Sequence, residues 1–318
     1  MSTRIDPHVH FRDGNQNYKE TIEHGFSIAN EEGVKYVFDM PNLSKPILRE
    51  KDVVARLNIV PDNQKENYFL YVGATADKEQ IKEAINLVQS KREVIGIKMF
   101  AGQSTGNLAI INEEEQKKVY QTLAENNYLG VIAVHCEKES HMKDVFDPRD
   151  SYTHALSRPK IAEIESIKDQ ILFAKETNFK GTLHICHISC KESVDLVDEA
   201  RKEIKITCGA TPHHLMWDDE MLKGPSGVIY KMNPPLRNKE DVLALQESLK
   251  QDKINWIESD HAPHAIGEKL HRGHPSGYPS LYLYKKCVEG LLPSLGLTEE
   301  KINKLTFDNI ISTFKLDI

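Results

Sequence analysis

The chain has 318 residues, 39% hydrophobic and 28% charged, a composition that excludes disorder and collagen-like repeats and leaves room for one large core. Lys and Arg number 41 against 48 Asp and Glu, for a net charge of -7 with no basic block, which argues against a nucleic-acid surface; no apolar run nears the ~20 residues of a bilayer span. The odd count of five cysteines and a start, MSTRIDPHVHF, without an apolar signal core predict a reduced, cytoplasmic protein.

Short β-rich runs recur at residues 4–10, 34–39, 68–74, 94–99, 130–136, 182–188, 204–209 and 254–259. Between them lie amphipathic stretches of helical length at 18–32, 77–90, 113–126, 159–177, 192–202 and 239–251, several opening on acidic residues that suit a helix amino terminus. Strands alternating with helices eight times predict a parallel (β/α)8 TIM barrel. The alternative, an open doubly wound sheet, typically carries a glycine-rich turn after its first strand, and no G-x-G-x-x-G is present. Two further helices, 278–295 and 298–314, are expected to pack on the outside. Only seven residues precede His8 and no β-rich stretch follows Ile257, so the expectation is a single barrel domain over 1–318, without a β-sandwich. The longest loops, 140–158, 211–238 and 260–277, follow strands, where this fold builds its active sites.

On this strand map the histidines and acids fall at the carboxyl ends of strands. His8 and His10 are two apart on the first strand, share a face and can grip one metal ion. Lys98 ends the fourth strand in GIKMF, His135 the fifth in AVHCE, His187 the sixth in HICHIS and Asp260 the eighth in ESDHAP. Each alone has a plainer reading, a hydrogen-bonded core histidine or a salt-bridged lysine. Convergence from five strands points instead to a metal centre. Lys98, between Ile97 and Met99, is costly to keep as an ammonium, and a free amine forms a carbamate with carbon dioxide, an anion able to bridge two cations. Two zinc ions ~3.5–4 Å apart would acidify water and polarise a carbonyl, and Asp260 could pass a proton to a leaving nitrogen. That is the chemistry of amide hydrolysis.

Arg12, two residues past His10, leaves the strand on the same side, and its guanidinium matches a carboxylate bidentately; a rim salt bridge with Asp13 or a neighbour is the plainer alternative. The small, polar loop 101–107 reads as a mobile lid or an ordinary surface loop. His213 and His214 read as groups hydrogen-bonded within the site or as packing. His184, on the opposite strand face from His187, reads as structural, and Cys136 and Cys186, adjoining His135 and His187, as pointing away from the barrel interior.

The ordered motifs resemble the amidohydrolase superfamily, and within it the dihydroorotases, over nearly the whole chain. DPHVHFRDG at 6–14 is similar to the opening metal motif with its arginine, FDMPNLSKP at 38–46 to a substrate-binding asparagine segment, and GIKMFAGQSTGN at 96–107 to the carboxylated-lysine strand. VHCE, CHIS, TPHHL, KMNPPLR and SDHAPH follow in the family's order, and HRGHPSGYPS is a looser counterpart of its substrate loop. The resemblance implies that His8 and His10 bind a first zinc ion, that carboxylated Lys98 bridges to a second held by His135 and His187, and that Asp260 is a ligand and the acid/base. It implies substrate contacts from Arg12, Asn42, His264 and Asn233. The implied reaction interconverts N-carbamoyl-L-aspartate with L-dihydroorotate plus water in pyrimidine synthesis, and a homodimer is the assembly considered. Another cyclic amidohydrolase, a hydantoinase or allantoinase, would use the same metals without needing a carboxylate clamp. A noncatalytic partner of a carbamoyltransferase would need none of the six ligands.

Overall fold

The computed structural model describes residues 3–104 and 106–318. Eight parallel strands, β1 (Ile5–Val9), β2 (Tyr36–Asp39), β3 (Tyr68–Gly73), β4 (Val94–Ala101), β5 (Val131–Cys136), β6 (Thr182–Ile185), β7 (Ile206–Ala210) and β8 (Trp256–Ile257), pair in sequence order. The Val9–His261 bridge, with the His10 N–H donating to the His261 carbonyl at 2.7 Å, joins the two ends of the sheet. The observed fold is therefore the expected (β/α)8 barrel, and among the described residues every named strand belongs to it.

Between the strands run α1 (Ile22–Glu31), α2 (Glu50–Leu57), α3 (Lys78–Ser90), α4 (Glu113–Glu125), α5 (Thr153–Ser157), α6 (Lys160–Glu176), α7 (Lys191–Ala200), α8 (Pro212–Met216) and α9 (Lys239–Lys250). Side-chain caps set several starts: Thr21, Asp77, Asn112 and Asn238 accept from the backbone N–H of His24, Glu79, Glu115 and Asp241. After β8 comes a short helix, α10 (Ile266–His271).

Two expectations are corrected here. The segment expected as an outer helix over 298–314 ends in Asn309–Phe314, whose Ile310 and Phe314 pack on the interior cluster of Ile5, Phe38, Phe69, Tyr71 and Trp256. The Phe314 ring lies 5.1 Å from that of Phe38 and 5.9 Å from that of Trp256, so it closes the amino-terminal end of the barrel instead of lying against its side. Strands β6 and β8 also stop short of the ranges 182–188 and 254–259, because the chain turns into left-handed backbone at His187 (φ 38°) and Asp260 (φ 51°).

Candidate active site

At the carboxyl ends of the strands, a narrow cavity is lined by His8, His10, Arg12, Asn42, Phe100, Ser104, His135, His187, Asn233, Asp260, Ala262, Ser276 and Gly277. The two β1 histidines reach it through an irregularity. Ile5 packs in the barrel interior while Val9 and Phe11 pack under the helices, and a register shift between Asp6 and Val9 changes the phase so that His8 and His10 turn inward. On β6 the alternation breaks in the other direction. His184 Nε2 meets Glu258 at 3.1 Å, and Cys186 Sγ lies 3.0 Å from Lys98 Nζ, so both side chains face inward along with His187. The expectation that Cys186 points away, opposite His187, is therefore wrong: positive φ at His187 swings its side chain to the same side. Cys136 does pack outward, in the layer beneath the helices.

The histidines and Asp260 form two adjoining groups. His8 and His10 hold Nε2 atoms 3.3 and 3.0 Å from Asp260 Oδ1, and the donor atoms of these three residues lie within 4.8 Å of one another. Alongside, His135 Nδ1 is 3.2 Å from His187 Nε2, and the His8 and His187 ring centroids are 5.2 Å apart. Lys98 lies beneath the cavity, fully buried, with its amine at Cys186 and above the Phe100 ring.

Burial disfavours the imidazolium form throughout. It pushes His8 down to about 4 and holds His10, His135 and His187 below the ordinary histidine value, while burial raises Asp260. Neutral rings present lone pairs, and His8 Nδ1 and His187 Nδ1 have no hydrogen-bond partner among the described residues. Neutral imidazoles and a carboxylate in one buried cluster are a donor set suited to zinc or a similar divalent ion.

Arg12 is buried, donates from Nε to the Pro263 carbonyl at 3.3 Å, and lines the cavity beside Asn42. The rim salt bridge is not formed, since Asp13 instead accepts from the N–H of Gly14 and of Ile22. Asn42 Oδ1 lies 2.7 Å from His10 Nδ1, which turns His10 Nε2 toward Asp260. Asn233 lines the cavity, and its Oδ1 has no hydrogen-bond partner among the described residues. His264 is not among the lining side chains. It sits behind Ser276, with Nδ1 3.0 Å from Lys19 Nζ and Nε2 3.1 Å from the Ser276 carbonyl. His214 bonds to Thr211 and the Pro234 carbonyl, whereas both ring nitrogens of His213 lack partners among the described residues. The loop read as a lid includes Thr105, which lies outside the described residues; Ser104 lines the cavity.

Three supporting acids escaped the sequence reading. Glu258 accepts from the backbone N–H of His187, from Trp256 Nε1 at 2.9 Å and from His184. Although burial opposes its ionisation, His184 and His8 hold it well below the usual carboxylate range. Gly209, on the adjoining strand β7, makes room for it: a Cβ there would come within 2.4 Å of the Glu258 carboxyl. Glu137 sits 3.0 Å from His135 Nε2 and pairs with Arg158 at 2.7 Å. Asp39 accepts from Arg56, Tyr68 and the Phe11 N–H and so anchors the chain just past His10. Two of them carried a usable signal, because Glu258 precedes Asp260 by two and Glu137 follows His135 by two, the period that keeps side chains on one strand face.

No family model matches the chain. Among curated proteins it is 32% identical to a dihydroorotase from Fusobacterium nucleatum over 98% of this chain and 72% of that protein. It is 33% identical to a dihydroorotase from Brevibacillus brevis over 98% and 73%. The chain belongs to the dihydroorotase family. It spans only 61% of the length of the dihydroorotase from Lactobacillus delbrueckii, to which it is 32% identical. Among solved structures, the L-hydantoinase of Arthrobacter aurescens superposes with a TM-score of 0.83 at 21% identity, over 98% of this chain and 70% of that one. A D-hydantoinase from Bacillus sp. AR9 gives 0.83 at 20%, over 97% and 70%. The hydantoinase structures thus share this barrel.

Proposed function

We propose that the protein is a dihydroorotase, hydrolysing the cyclic amide C–N bond of L-dihydroorotate and, in reverse, closing N-carbamoyl-L-aspartate. The observation that carries this reading is Arg12, a buried cation lining the same cavity as His8, His10 and Asp260, so that a carboxylate-bearing ring would meet its countercharge beside the metal donors.

Two zinc ions would be held by His8, His10 and Asp260 and by His135 and His187, with Lys98, as a carbamate, supplying a further anionic ligand. When bound they supply acidified water and a Lewis acid for the carbonyl. Asp260, as the carboxylate, takes the proton of the attacking water as its oxygen bonds to the ring carbonyl carbon, and returns that proton to the ring nitrogen as the C–N bond breaks. Arg12 grips the substrate carboxylate and fixes the ring, Asn42 orients His10 and borders the carboxylate position, Asn233 offers its carboxamide, and His264 supports the wall at Ser276. A homodimer and a cytoplasmic location belong to the same reading; no helix among the described residues is long and apolar enough to cross a membrane. A spectrophotometric assay on dihydroorotate with metal analysis of the same sample tests it: turnover with about two zinc ions per chain is expected, and metal-loaded protein inert on dihydroorotate overturns it.

A further inference from the structure

Behind the cavity wall at Ser276 and Gly277 lie two buried lysines that the proposed chemistry does not use. Lys269, on α10, donates from Nζ to the carbonyls of Lys231 (2.8 Å), Gly277 (2.8 Å) and Pro275 (3.2 Å). Lys231 donates from Nζ to Ser276 Oγ (2.8 Å) and the His274 carbonyl (2.9 Å), and stands over the Phe146 ring. The Gly277 N–H closes the frame by donating to the Lys231 carbonyl at 2.9 Å.

Four bonds from two ammonium groups thus hold the 274–277 stretch of wall, a fifth ties Lys269 to the Lys231 carbonyl, and none of the five goes to a carboxylate. The charged and titratable groups around the pair are Arg158, His154, His264 and His274, all bases, while the adjacent Glu268 is taken by Lys19 at 3.2 Å. A buried cation is costly unless an anion pairs with it, and among the described residues no carboxylate pairs with either lysine. Burial, with Arg158 nearby, lowers Lys231 to about 8; burial and Lys231 lower Lys269 to about 7.

We propose that Lys231 and Lys269 are positioning residues that hold the 274–277 wall by its carbonyls and, through their uncompensated charge, bias the cavity toward carboxylate-bearing substrates. The identity of that substrate rests on the dihydroorotase reading; the preference for anions does not. Because a bound anion favours both charged amines, binding takes up protons where they titrate, from about pH 7 to 8.

Calorimetry at pH 8 in two buffers of different ionisation enthalpy, with succinate as an unreactive dicarboxylate probe, reads both effects on the protein as purified. Wild type is expected to bind succinate with proton uptake. Lys231→Met and Lys269→Met should bind roughly tenfold more weakly with less uptake. Lys231→Arg, which keeps the charge and cannot titrate in this range, should keep the affinity yet lose part of the uptake, an outcome that simple loss of packing does not produce. With dihydroorotate, KM should rise with pH from 6.5 to 9 more than kcat changes, and flatten in the Met variants. Equal affinity and uptake in wild type and both Met variants, absence of succinate binding to wild type, or uptake unchanged in Lys231→Arg would overturn the proposal. Succinate binding with uptake, but no turnover of dihydroorotate, would support the lysine pair and remove the dihydroorotase reading.

Discussion

His187 and Asp260 share left-handed backbone, a conformation that costs a non-glycine residue on the order of 1–3 kcal/mol and persists only where surrounding contacts enforce it. Glu258 is that enforcement for His187, whose N–H it receives. Glu258→Gln should leave a partner unsatisfied, lower stability by about 2–3 kcal/mol in denaturant titration, and weaken metal binding by roughly ten- to a hundredfold in competition with a chelator. Arg12 is the proposed grip on the substrate carboxylate. Arg12→Lys keeps the charge but loses the planar fork, so kcat/KM on dihydroorotate should fall about ten- to a hundredfold with metal content unchanged. Equal losses on an uncharged ring such as dihydrouracil would point to a packing role. At this scale period two places His135 on the inner face of β5, whereas Asp260 reaches the cavity from left-handed backbone beyond the end of β8. Cys186 was misread because the turn at His187 depends on a carboxylate from a strand some seventy residues later, which no local pattern encodes.

Among the elements, α2 was passed over, since eight residues with a short apolar face look like loop beside the longer helices. It carries Arg56, whose guanidinium reaches Asp39 at the end of β2 at 2.6 Å, both side chains being almost wholly buried. With Tyr68 on β3, that pair ties β2 and β3 to the chain leaving β1. Breaking a buried pair strands the surviving charge, so Arg56→Met should cost about 3–5 kcal/mol in denaturant unfolding and loosen the segment that carries Arg12. Strand and helix positions were legible because both faces of barrel strands are apolar and the helix starts carry caps. The phase change in β1 was not, because Asp6 fixes it by accepting from the Ser259 N–H, a contact across the barrel seam.

The molecule divides its two ends: Phe314 and its neighbours close one pole, and metal donors with a cationic wall occupy the other. Stability of the whole should carry the mark of the second pole. His154, whose Nε2 meets the Met232 carbonyl at 2.8 Å, is pushed down to about 3 by burial and nearby Lys231. Between roughly pH 6.5, where an unfolded histidine titrates, and pH 3 the unfolded chain binds a proton that the folded one refuses, so stability falls with acid across that window. Unfolding midpoints measured from pH 7 to 4 should decline, and less steeply in His154→Gln. The seam between β1 and β8 has a further consequence, for biosynthesis. His8 and His10 emerge first from the ribosome, but their carboxylate partner Asp260 and the seam residue His261 come some 250 residues later, so the site is assembled only when the barrel closes. Ribosome-bound chains stalled before residue 260 should therefore retain no zinc after gel filtration, whereas chains stalled late enough to expose the whole barrel should. With the zinc centre proposed above, a cell making this protein would commit its metal to finished barrels, and a shortage of zinc during translation should delay activation without trapping half-made chains.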